Sequence, residues 1–108
     1  MYYDKNGKEI GVTEWTRLFA DKSYQILAKK NIEDQASVST VWLGLDHNYA
    51  LDSSIPVIFE TMIFYDEGDE TYRYATEKQA LAGHDICVYR AWRKVHGLEI
   101  TNPQNTGM

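Results

Sequence analysis

The stretch Ile55 to Tyr65, IPVIFETMIFY, constrains the fold most. Apolar side chains occupy both parities of a strand, Val57, Phe59, Ile63 and Tyr65 on one and Ile58, Met62 and Phe64 on the other, so the pattern predicts a central strand covered on both faces. Asp66-Glu67-Gly68-Asp69-Glu70 follows as a turn, and Thr71 to Ala75 returns as a partner strand with Tyr72 and Tyr74 on one side. Upstream, Ser37 to Leu45 is rich in β-branched and aromatic residues and too short to prefer a helix. Three main strands result.

Helices flank them. Tyr2-Tyr3 and Lys8-Glu9-Ile10 enclose Asn6-Gly7, a pair that supplies positive φ angles, and so form an N-terminal hairpin. Thr13 then reads as an N-cap, with Trp15, Leu18 and Phe19 on one helical face. Asp21 restarts the pattern as a second cap, and the helical stretch, kinked or in two pieces, ends near Asn31. Thr76-Glu77-Lys78-Gln79 has capping-box spacing, and Leu81, His84, Val88, Ala91, Trp92 and Val95 trace the apolar stripe of a last helix that stops at Gly97. The expected fold is α+β: an antiparallel sheet of three main strands and an N-terminal hairpin, packed with helices from residues 13–31 and 77–96. Residues 1–97 form its one domain, and 98–108 are expected to be a mobile tail.

A chain of 108 residues can bury a sufficient core without staples. Cys87 is the lone cysteine, and the opening MYYDKNGKEI lacks the apolar run of a signal peptide, which together point to the cytoplasm. No stretch approaches the ~20 apolar residues of a membrane span. The formal charge of −5 is unevenly spread: Asn31 to Tyr72 holds nine acidic residues and no Lys or Arg, so the three successive segments carry +2, −9 and +2. Direct nucleic-acid binding is not expected, because the best basic cluster is only Arg90, Arg93 and Lys94.

No phosphate loop, paired-cysteine metal spacing or nucleophile elbow is present. Three oddities remain: Glu60 inside an apolar strand, His84 inside the apolar stripe of the last helix, and Asp46-His47 at a strand end. A helix packed on the sheet can bring His84 to Glu60, with His47 approaching from the strand end, and two histidines with a carboxylate can hold a water-activating metal. A buried, hydrogen-bonded Glu60–His84 pair explains the same residues without any metal, so neither cofactor nor metal is expected. Cys87 sits one residue off the stripe and reads as packing rather than a nucleophile. Trp15, Trp42 and Trp92 read as a shared core, with Trp42 as the alternative anchor for a partner. Asp46, Asp52, Asp66, Glu67, Asp69 and Glu70 are the candidate binding residues, able to imitate phosphates toward a basic protein surface.

The blocks STVWLGLDH (39–47), PVIFETMIF (56–64) and YATEKQALAGH (74–84) resemble a family of small uncharacterised proteins from bacteriophages, prophages and bacterial genomes. The resemblance runs from about residue 10 to residue 90. It implies a phage-type accessory protein, with Trp42, Asp46, His47, Glu60, Thr61 and His84 in the shared blocks, and brings no activity with it. The expected function is macromolecular binding, most concretely inhibition of a host nucleic-acid-handling or defence enzyme in the manner of an anti-CRISPR. The alternatives are a small metal-dependent or His/Glu-based hydrolase using Glu60, His84 and His47, and a phage structural or morphogenesis accessory that works as a homo-oligomer.

Overall fold

The computed structural model describes residues 1–46 and 55–98. In chain order it contains a hairpin (β1, Tyr2–Tyr3; β2, Glu9–Ile10), two helices (α1, Val12–Ala20; α2, Lys22–Gln25), four strands (β3, Ile26–Ile32; β4, Ala36–Trp42; β5, Phe59–Tyr65; β6, Gly68–Tyr74) and a long helix (α3, Glu77–Val95). The fold is α+β. His47, Asp52 and all of the expected tail except Leu98 lie outside the described residues.

The four long strands pair antiparallel in the order β3-β4-β5-β6, a simple meander. The sheet therefore has four strands where three are expected, because Ile26–Ile32 is a strand and not the end of a helix. Leu27, Ala28, Lys29 and Lys30 are good helix formers, but hydrogen bonding along β4 from Ile26↔Val41 to Ile32↔Ala36 overrides that local preference. Asp21 does cap α2, its side chain accepting from the Ser23 amide. Thr13 is not a cap: α1 begins one residue earlier, after Gly11.

One face of the sheet is buried and the other is open. Alternate residues of β4 (Ala36, Val38, Thr40, Trp42) and of β5 (Phe59, Thr61, Ile63) face inward. This corrects the expectation that β5 is covered on both faces: Glu60 and Met62 are half-buried and Phe64 is exposed. An antiparallel sheet tolerates one solvated face, and there Met62 lies opposite Ser39 and Thr71, and Phe64 opposite Ser37 and Asp69.

Two adjacent clusters line the buried face. In the first, Ile32, Ala36, Val38 and Ile63 pack against Cys87 and Ala91 of α3. In the second, Trp42, Ile58, Phe59 and Ala80 are covered by Tyr3, Ile10, Trp15, Leu18 and Phe19 from the N-terminal unit. That unit is tied down at its backbone, with Tyr3 N–H donating to the Gly44 carbonyl at 2.9 Å and Lys5 N–H to the Tyr24 hydroxyl at 2.9 Å.

Helix α3 carries the expected Thr76–Gln79 capping box, but its buried stripe is rotated from the expected one. Ala80, Gly83, His84, Cys87 and Ala91 face the sheet, while Leu81 and Trp92 stay 42% and 44% exposed. Small residues let the helix lie close to the strands, and the bulky side chains are turned outward. Cys87 thus belongs to the stripe, and Trp92, stacked on His96 at 4.4 Å between ring centres, does not join the core.

Candidate functional site

Strand alternation sends Glu60 to the open face of β5 and α3 delivers His84 to the buried face, so the two project from opposite sides of the sheet. They do not meet. Glu60 accepts from Arg73 Nε at 3.2 Å, across the β5–β6 pair, and its side chain is only 14% exposed. His84 is 7% exposed, and its Nδ1 lies 2.6 Å from Thr40 Oγ1, which in turn is 2.6 Å from Thr61 Oγ1. Each candidate has a polar partner, but the partner is not the other candidate. Among the described residues, no group of three His, Cys, Asp or Glu side chains comes together as a metal site.

Beyond the His84–Thr40–Thr61 chain lies Tyr74, whose hydroxyl is 4.0 Å from Cys87 Sγ. Burial, the main cause, pushes the Tyr74 phenol up to about 12 and raises the Cys87 thiol. A hydroxyl beside an imidazole resembles the start of a nucleophile, but Thr40 and Thr61 are completely buried and offer a substrate no access. The chain of hydrogen bonds instead satisfies polar groups that the core would otherwise leave unpaired.

This network has a pH signature. Burial lowers the His84 pKa below its ordinary 6.5, outweighing the opposing pull of Asp85. Below that ordinary value the unfolded chain binds a proton that the folded chain resists, so the His84 contribution is full above about pH 6.5 and is lost as pH falls toward the lower folded value. Urea midpoints should therefore drop on acidification more steeply for the wild-type protein than for His84→Gln. Equal slopes would show that His84 does not titrate with unfolding.

The acidic candidates divide in two. Alternate turns of a meander fall at the same end of the sheet, so the β3–β4 turn and the β5–β6 turn lie together. A shallow depression of about 390 Å³ opens between them, lined by residues that include Asn31, Asp34, Ser37, Phe64 and Asp66. Glu33, Asp34, Asp66, Glu67 and Asp69 are all exposed at this end. Glu33 and Asp34 were missed as site residues by the sequence pattern, since neither lies in the Asp66–Glu70 turn. Asp46 belongs to the opposite end, where its carboxylate accepts from Val57 N–H at 2.9 Å, so it does not share the field of the β5–β6 turn.

Glu70 is not free to face a partner either. It is in β6 rather than the turn, and it accepts from Arg90 Nε and from the Tyr72 hydroxyl, each at 2.7 Å. Burial pushes its carboxyl up, but those two hydrogen bonds outweigh it and hold the pKa below the usual range. Trp42 is withdrawn as a partner anchor as well, because it is 0% exposed. The apolar group that does stand at the acidic end is Phe64, 43% exposed and paired across the strands with Ser37 and Asp69.

Positive groups only partly offset this end. Lys29 and Lys30 line a neighbouring depression beside Phe64, and Lys94 sits over the Tyr65 ring at 4.0 Å, while Glu33 pairs with the His96 ring and the carbonyl end of α3 adds negative potential. The backbone here is also unusual: Glu33 and Asp34 take φ of 50° and 59°, where an Asn-Gly pair would be unstrained. Among the described residues, no helix is long and apolar enough to cross a membrane. Comparisons with family models, with curated proteins and with solved structures give no match for the chain.

Proposed function

We propose that the chain is a phage-type accessory protein that acts in the cytoplasm by binding a macromolecule, and that the acidic end of the sheet is its contact surface. The observation that supports it is the meeting of two acidic turns beside an exposed aromatic, with Asp34, Asp66 and Phe64 around one depression. Such a surface suits a protein whose own surface is basic, since opposite potentials speed encounter and Phe64 offers an apolar anchor. A host nucleic-acid-handling or defence enzyme, whose groove is built for phosphates, is the most concrete partner. The hydrolase alternative loses support because Glu60 and His84 stand on opposite faces of the sheet.

The test compares pull-downs from the native host using wild-type bait and a bait carrying Asp34→Asn, Asp66→Asn and Glu67→Gln. Glu33 and Glu70 are left in place because they pair with His96 and Arg90. The expected result is a partner captured by the wild type, released by rising salt, and lost from the folded variant. Capture that is unchanged in both bait and salt dependence would overturn the proposal.

A further inference from the structure

We propose that β6 is a self-complementary edge through which two copies of this chain join into one continuous sheet. Among the described residues β6 pairs only with β5, so its outer edge presents backbone donors and acceptors without a strand partner. Exposed edges of this kind can pair with other chains, and are commonly blunted by charged side chains, lysine above all, by proline, by inward-pointing charges or by a bulge. The opposite edge has such guards: β3 carries Lys29 and Lys30 side by side, both exposed, and a register shift between Ile26 and Ala28. The β6 sequence, Gly-Asp-Glu-Thr-Tyr-Arg-Tyr, contains neither lysine nor proline, its one inward-pointing charge, Glu70, is already paired with Arg90, and its register with β5 is unbroken from Phe59↔Tyr74 to Tyr65↔Gly68.

A two-fold pairing of β6 with itself admits few registers, because the axis must pass through a residue and its own copy. Centred on Glu70, it would oppose two carboxylates. Centred on Tyr72, it would set Thr71 against Arg73 and leave Asp69 beyond the strand. Centred on Thr71, it places Asp69 of each copy against Arg73 of the other, Glu70 against Tyr72 and Gly68 against Tyr74, so that every strand residue is paired. Opposite charges directly across an antiparallel pair are stabilising and like charges are not.

Side-chain geometry agrees. Asp69, Thr71 and Arg73 all point to the open face and are exposed. Arg73 uses Nε for Glu60 and its side chain remains 44% exposed, so its terminal nitrogens are left for a second carboxylate. The resulting row, Glu60–Arg73–Asp69 of the second copy, alternates in charge across the joint. On the other side of the strand, Ile86 is 36% exposed and lies one helical turn before Arg90, the residue that binds Glu70, so an apolar side chain flanks the same edge. This inference does not depend on the partner proposed above, because the joint lies along a sheet edge and leaves the Asp34–Asp66 depression uncovered.

Sedimentation of the full chain over a range of concentrations tests it. The wild type should form a dimer. Thr71→Lys, which sets like charges against each other at the axis on an exposed position, should be a folded monomer, and Asp69→Arg should weaken dimerisation roughly tenfold or more. Asp69→Arg and Arg73→Asp chains, each self-repelling, should form a one-to-one heterodimer when mixed. If Arg73→Asp fails to fold, Thr71→Lys and Asp69→Arg still decide the matter. A monomeric wild type, a dimer that survives both of those substitutions, or an open-ended ladder formed by β3 of one copy on β6 of the next would each overturn it.

Discussion

Trp42→Ala is expected to cost about 3–5 kcal/mol, the upper range for removing a large buried side chain. A domain of this size is stable by only about 5–15 kcal/mol, so the variant should be partly unfolded or close to it. The cost is concentrated at Trp42 because three parts of the chain converge there. The ring meets Tyr24 edge-on at 5.0 Å and Phe19 at 6.3 Å, and its indole N–H donates to the Tyr3 carbonyl at 3.1 Å. Removing it leaves a cavity and takes away the wedge that holds β1 and α1 against the sheet. Trp42→Phe should be milder, keeping most of the ring but losing the bond to Tyr3. Trp92→Ala is the control: at 44% exposure it should change stability by about 0.5 kcal/mol or less. Urea unfolding followed by far-UV circular dichroism reads all three, and a Trp92→Ala as damaging as Trp42→Ala would show that the core is not where we place it.

The contrast between those tryptophans marks what a sequence can and cannot tell. Elements governed by local chemistry were legible: the Thr76–Gln79 capping box, the Asp21 cap and the two strands on either side of the β5–β6 turn all follow from short-range residue preferences. Elements decided by a distant partner were not. Ile26–Ile32 looks helical until β4 is beside it, and Glu60 looks like a partner for His84 until Arg73 is found across the strand on the open face. The acidic segment shows the same division. Its charge is plain in one dimension, but only the meander separates Asp46 from the Asp66 turn and brings Glu33 and Asp34 to join it.

The rotated stripe of α3 yields the second large effect, Gly83→Ala. By local preference this change should help, since glycine inside a helix is worse than alanine by about 1 kcal/mol. The structure predicts the opposite sign. A Cβ at Gly83 would fall 2.2 Å from the Tyr74 hydroxyl oxygen and 2.3–2.4 Å from two of its ring carbons, far inside contact distance. Either α3 must lift from β6 or Tyr74 must leave its place beside Thr61 and Cys87, and overpacking of this kind typically costs about 1–3 kcal/mol. A double-mutant cycle separates the causes. Tyr74→Ala alone should destabilise by loss of packing, but Gly83→Ala added to it should be neutral or stabilising, because the clash is gone and only the helix preference remains. Gly83→Ala that stabilises the wild-type background would mean that α3 does not rest on Tyr74. The close approach of α3 that buries His84 against Thr40 would then need another explanation.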